Sequence, residues 1–290
     1  MSSNLQLFAL CVAIWGSTWL AITLQLGKVA AEASVFYRFL LASLLLFGYC
    51  LARRLPLRYG AHTHGWIALQ GVLMFGVSYV AVYYAEEHVV SGLVAVGYSA
   101  SPLLNMIGMR AFFRAPMTRR VAIGSALGIA GIALVFWPEF AQLTASRDVA
   151  LGALFTAVAV GLSSLASIVA HRNQASSLPV WQTMAWGMLY GSLFSLAACL
   201  ALGKPLGFEA TAAYELSLAY LAVFGSVIAF ASYLTLLGRI GAARAGYIGV
   251  MVPIVALVVS AAFEGFRWHF LTWVGVAISV AGNVIILRKS

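Results

Sequence analysis

The sequence predicts an all-α membrane protein of ten transmembrane helices, built as two inverted five-helix repeats. Three observations predict it. Hydrophobic residues make up 63% of the 290 and charged residues only 9%, against about 25% charged in a soluble domain. Apolar runs long enough for a hydrocarbon layer of roughly 30 Å recur along the whole chain. The end of the first half is echoed by the end of the second. Helices follow because lipid offers no partner to an open backbone group, and the ~10-residue alternating segments of a β-barrel are not seen.

The first span is expected at residues 5–24. Its head, Met1 to Leu5, carries no basic side chain and no A-x-A-like site follows, so it reads as a membrane helix rather than a cleaved leader. The second, 33–52, ends at Arg53-Arg54-Leu55-Pro56. The third and fourth cover 66–84 and 91–110, with Ala115-Pro116 marking the next break. The fifth, 121–137, stops at Trp137-Pro138. In the second half the spans are 149–169, 180–202, 213–236, 243–262 and 270–287, punctuated by Lys204-Pro205 and Gly238-Arg239. The first repeat is thereby assigned to residues 1–140 and the second to 141–290, with no soluble domain.

Charge placement tests this count. If the helices alternate from a cytoplasmic N-terminus, Arg53, Arg54, Arg58, Arg110, Arg114, Arg119, Arg120, Arg172, Arg239, Arg244, Arg288 and Lys289 lie inside. Only Lys28, Arg147, Lys204 and Arg267 lie outside, and Arg38 is left within a helix. Such a bias follows the positive-inside rule and puts both termini in the cytoplasm, in a bacterial inner membrane. The formal net charge of +9 is then an orientation signal. A nucleic-acid partner is excluded because no basic patch sits in a soluble module. The expected partners are membrane lipid and a small-molecule substrate, acting on a monomer.

The repeat is carried by Gly92 through Pro102 against Ala243 through Pro253. At that offset of 151, Phe112 meets Phe263, Gly124 meets Gly275 and Gly131 meets Gly282. Five spans per repeat is an odd number, so the second repeat must enter the membrane from the opposite side. Inverted repeats that rock about a central site are the architecture of alternating-access transporters.

Candidate site residues follow from polarity at depth. Pro102 and Pro253 fall inside spans, where proline removes a donor and crowds the preceding turn, so helix breaks are expected at both. Tyr98, Ser99 and Asn105 surround Pro102. Tyr79 and Tyr83 share a face of the third span, and Trp19 closes the run Trp15-Gly16-Ser17-Thr18-Trp19. Tyr247 is added from the ninth span. Each of these either lines a substrate path or packs between helices. Arg38 lies well inside the second span, where it either holds an anionic substrate group or pairs with Glu32 or another acid of the outer face.

No enzyme is expected. The chain carries no C-x-x-C, H-E-x-x-H, G-x-x-x-x-G-K-[ST] or G-x-G-x-x-G pattern, and no deep carboxylate completes a hydrolytic triad. Cys11, Cys50 and Cys199 lie in apolar runs without metal-ligand spacing, so neither metal nor cofactor is expected.

Ten spans, a duplicated five-helix unit, the Trp15–Trp19 run, the aromatic-flanked Arg38, and Pro253, Glu264, Gly275 and Gly282 in order near the end together resemble the EamA-type permeases of the drug/metabolite transporter superfamily. The resemblance covers essentially the whole chain. One departure is Phe113, which stands where Glu264 falls in the second repeat. The resemblance implies export of small metabolites, amino acids including aromatic ones among them, as by the bacterial aromatic amino acid exporter. It also implies a path bounded by the first, third, fourth, sixth, eighth and ninth spans, with the fifth and tenth outside. All eight acids fall at or near the outer face, so facilitated diffusion is expected rather than coupling through a buried carboxylate. The alternatives are an ion-coupled exporter of other metabolites or drugs, and a membrane enzyme without transport.

Overall fold

The structure is a computed structural model that describes residues 3–114, 119–142, 147–240 and 247–287. Within them the chain forms ten helical stretches: α1 Asn4–Thr23, α2 Ala31–Ala52, α3 Ala61–Glu86, α4 Ser91–Phe113, α5 Arg119–Gln142, α6 Arg147–Ala175, α7 Val180–Ala201, α8 at 212–240, α9 Tyr247–Phe263 and α10 Phe270–Leu287. By length and composition α1, α2, α3, α4, α6, α7 and α8 are apolar enough to cross a membrane, whereas the apolar parts of α5, α9 and α10 are shorter.

Local chemistry sets the ends. Ser3 accepts the Gln6 backbone N–H while the Gln6 side chain accepts that of Ser3, closing a capping box at α1. Thr211 caps α8 through the Tyr214 N–H. Gly203 and Gly265 take positive φ just beyond α7 and α9, a turn that a side chain would disfavour.

Packing shows the repeat directly. The principal helix pairs are α5–α10, α2–α7, α4–α9, α1–α9, α4–α6, α1–α8, α3–α6, α3–α7 and α2–α8. Exchanging each helix for the one five places on maps α1–α9 onto α4–α6, α1–α8 onto α3–α6 and α3–α7 onto α2–α8. The pairs α5–α10, α2–α7 and α4–α9 map onto themselves. Between α5 and α10 the symmetry reaches single residues. A Cβ on Gly131 would stand 2.5 Å from the Gly275 carbonyl, and one on Gly275 would stand 2.6 Å from that of Gly131. Gly282 meets the Gly124 carbonyl just as closely. Small residues thus let these backbones touch, as membrane helix pairs require.

Three helices are irregular. α3 holds a π-helical segment at Val72–Val77 and α8 another at Leu221–Ile228, in corresponding positions of the two repeats and each with a Phe-Gly step. α4 is interrupted by a 3₁₀ turn at Tyr98–Ala100, immediately before Pro102. The break expected at Pro253 is not found, since α9 runs through it. α9 stays helical through Pro253 while packed closely on α1, where a Cβ on Gly16 would stand 2.4 Å from Val255 Cγ1, so tertiary contact offsets the one lost backbone donor.

Candidate functional site

Arg38, two turns into α2, is only 2% exposed. Its guanidinium lies over the rings of Tyr79 and Phe39, 4.6 Å and 5.1 Å from their centroids, and Nε donates to Ser226 Oγ at 3.4 Å. The π segment of α8 makes this possible. It turns Ser226 toward Arg38, while Gly225 leaves room: a Cβ there would stand 2.8 Å from Thr18 Cγ2 and 3.5 Å from Arg38 Nη2. The widened turn also frees the Gly225 carbonyl, which accepts the Trp15 indole N–H at 3.1 Å. Glu32 is not the partner of Arg38. It receives Lys204 Nζ at 3.0 Å and the Tyr84 hydroxyl instead.

Around this cation the structure gathers rings. Tyr79 meets Phe39 edge-on at 4.8 Å, Phe39 meets Phe75, and Phe75 meets Phe230, which in turn meets Trp15. Trp19 and Tyr98 face each other at 5.2 Å, and the Tyr98 hydroxyl is 3.3 Å from Ser78 Oγ, which itself donates to the Ala159 carbonyl. The Trp19 indole nitrogen is buried without a hydrogen-bond partner among the described residues. Trp19, Arg38, Tyr79 and Tyr98 therefore belong to one interior cluster.

The other candidates are placed differently. Tyr83 is fully buried and donates to Gln25 Oε1 at 2.6 Å. Ser99 lies beside Pro253, Ser279 and Asn283, in a crevice between α4, α9 and α10 rather than at Arg38. Asn105 lies further along α4, its Oδ1 buried and without a hydrogen-bond partner among the described residues. Tyr247 opens α9, and its side chain lies outside the described residues.

Two ends of the bundle differ. At the end holding the acids, side chains link separate helices and loops. Lys204 joins Glu32 and Tyr84, Lys28 joins Glu209 at 2.9 Å, and His88 meets Asp148 at 3.1 Å. Glu264, just past α9, accepts the Ser91 backbone N–H and hydroxyl, so a carboxylate caps the N-terminus of α4. Toward the base-rich end lies a cavity of about 200 Å³ lined by Gln70, Asn173, Thr183, Met74, Phe230 and Tyr233, among others. Its walls are α3, α6, α7 and α8. Asn173 Nδ2 donates to Gln70 Oε1 at 2.8 Å on its rim. Sequence reasoning missed Gln70, Asn173, Gly225 and Ser226. Only the buried amides carried a signal, as polar side chains in otherwise apolar runs.

The profile of the EamA-like transporter family matches residues 3–137 and again 150–288. The chain belongs to that family. Its full length resembles an "Uncharacterized inner membrane transporter YedA" of Escherichia coli K12, 29% identical over 97% of this chain and 89% of that protein. It also resembles a "Probable terminal-alkyne amino-acid exporter" of Streptantibioticus cattleyicolor, 27% identical over 100% and 95%. A solved crystal structure superposes with a TM-score of 0.71 at 16% identity, covering 96% of this chain and 94% of that one, which shows the shared fold. With these relatives and its apolar helices, the chain is a membrane protein of a transporter family rather than a member of an enzyme family.

Proposed function

We propose that the protein exports small metabolites, amino acids including aromatic ones, across a bacterial inner membrane by alternating access. Its two halves, 1–140 and 141–290, move against each other, with both termini in the cytoplasm. The observation that carries this reading is the reciprocal packing of the halves around an interior where Arg38 sits among Trp19, Tyr79 and Tyr98. Such an interior offers a fixed cation for a carboxylate and ring faces for an apolar or planar side chain. The relative named as an amino-acid exporter supports the same class of cargo. The cross-linked acid-rich end and the cavity toward the base-rich end fit a state open to the cytoplasm. The protein works as a monomer and as a facilitator: Glu32 and Glu264 are engaged by protein donors, and a proton role for the buried Glu86 carboxyl is what the pH-gradient measurement tests.

Purified protein in sealed liposomes tests this. Counterflow of labelled aromatic amino acids, with equilibration but no accumulation under an imposed pH gradient, is the expected result. Absence of flux for amino acids, nucleosides, sugars and cationic drugs alike would refute transport. Uphill accumulation abolished by an ionophore would refute the facilitator.

A further inference from the structure

A third glutamate at the acid-rich end has no partner of its own. Glu32 is held by Lys204 and Tyr84, and Glu264 by Ser91. Glu86, the last residue of α3, is 7% exposed, and neither carboxylate oxygen has a hydrogen-bond partner among the described residues. It lies on the face of α3 that carries Tyr83 and Tyr79, two turns beyond Tyr79, whose ring lies 4.6 Å from the Arg38 guanidinium. Arg38 is as deeply buried, and its Nη1 is also unpartnered. The Glu86 carboxyl and the Arg38 guanidinium do not pair with each other: the ion pairs among the described residues are Lys28–Glu209, His88–Asp148 and Lys204–Glu32.

Tyr83, one turn before Glu86 on the same face of α3, interacts electrostatically with both charges. Gln25, which accepts the Tyr83 hydroxyl, has an unpartnered buried Nε2. Tyr98 feels both Glu86 and Tyr79, and its ring meets Trp19. A buried ion without a partner is costly, and leaving either pole uncompensated makes no stable arrangement. A guest carrying both charges compensates each pole and adds no net charge.

We propose that Glu86 and Arg38 are the two poles of an α-amino-acid site. Glu86 accepts hydrogen bonds from the substrate ammonium and Arg38 donates to its carboxylate. The rings of Trp19, Tyr79 and Tyr98 bound the side chain. Glu264 deepens the negative field on the ammonium side. This deepens the exporter reading and rests on it. It adds a requirement that the reading alone does not make: cargo must carry both groups, because an amine or an acid alone leaves one pole buried and unpaired.

Counterflow of labelled phenylalanine in proteoliposomes tests it, with 3-phenylpropionate and phenethylamine as competitors. In the wild type both competitors are expected to be at least about tenfold weaker than unlabelled phenylalanine. Glu86→Gln should raise the half-saturating phenylalanine concentration at least about tenfold and leave inhibition by 3-phenylpropionate unchanged, since only the ammonium pole is altered. Glu86→Asp should recover part of the loss. An unchanged half-saturation in Glu86→Gln overturns the assignment, as does wild-type inhibition by 3-phenylpropionate as strong as by phenylalanine. The second readout needs no variant and stands even if Glu86→Gln fails to insert. Should a pH gradient drive accumulation that Glu86→Gln abolishes at unchanged half-saturation, Glu86 is a proton site and the ammonium role is wrong. Wild-type transport of other solutes but of no amino acid defeats the exporter reading first and this inference with it.

Discussion

Arg38 is held by two rings and one hydroxyl, with no carboxylate bonded to it. Cation–π contacts are worth about 0.5–2 kcal/mol each, too little to saturate a buried guanidinium, so the fork remains available to a ligand. Arg38→Lys keeps the charge and loses the paired donors. That variant should insert normally and raise the half-saturating substrate concentration about tenfold in counterflow. Unchanged affinity and preference would rule out direct recognition, whereas a loss confined to maximal rate would move Arg38 to a gating role. Lys204, in the loop after α7, makes a different prediction. Burial alone would lower its proton affinity, but hydrogen bonds with Tyr84 and Glu32, and their charges, outweigh it and raise the pKa above the ordinary lysine value. A cation whose pKa is raised on folding stabilises the fold below its unfolded pKa, and that stability is lost as pH rises through the higher folded value. The melting temperature of the wild type should therefore exceed that of Lys204→Met by a constant margin from neutral pH to about 10. The margin should vanish only above that. A margin already lost by pH 9 would contradict the raised value. Arg38 could be singled out in the sequence because a guanidinium inside an apolar run is conspicuous. Glu86 could not, because a carboxylate at a helix end reads as interfacial, and its burial is set by distant residues that close over it.

Among elements, the α5–α10 contact offers the cleanest contrast. Gly131 touches Gly275 backbone to backbone, whereas a Cβ on Gly128 meets nothing within 4 Å. Gly131→Leu should cost at least the ~1–3 kcal/mol typical of overpacking and lower the thermal transition in detergent, while Gly128→Ala should be neutral within about 0.5 kcal/mol. Equal melting of the two variants would show that the close approach does not hold the pair. Helix number and most boundaries were legible in the sequence because lipid enforces long apolar runs. Among the boundaries that moved, α3 begins at Ala61 rather than 66, carrying His62, Thr63 and His64 into its first turns, and α5 runs through Pro138 to Gln142 rather than stopping at Trp137. The π segments were not legible, since an extra residue per turn leaves no compositional mark beyond the Phe75-Gly76 and Phe224-Gly225 steps. They matter because one of them brings Ser226 to Arg38. The break expected at Pro102 is present, whereas the one expected at Pro253 is absent because a proline alone does not open a helix that its neighbours hold.

At the scale of the molecule, the repeat was visible only near the ends of the two halves, yet the packing symmetry extends to α2–α7 and α3–α7, where sequence similarity fades. Backbone geometry and small residues carry it there: Gly71 meets Gly187, and Ser43 donates to the Ala185 carbonyl at 2.9 Å. A molecule so paired can exchange the roles of its ends, and the acid-rich end must then open at some point in each cycle. The Lys204–Tyr84 contact spans that end between the two repeats. The most direct test replaces Cys11, Cys50 and Cys199, introduces Tyr84→Cys and Lys204→Cys, and joins them with a short bifunctional methanethiosulfonate in proteoliposomes. Alternating access predicts that amino-acid counterflow stops on cross-linking and returns on reduction, while either single cysteine variant keeps its rate after the same treatment. Full counterflow through the cross-linked protein would contradict the account.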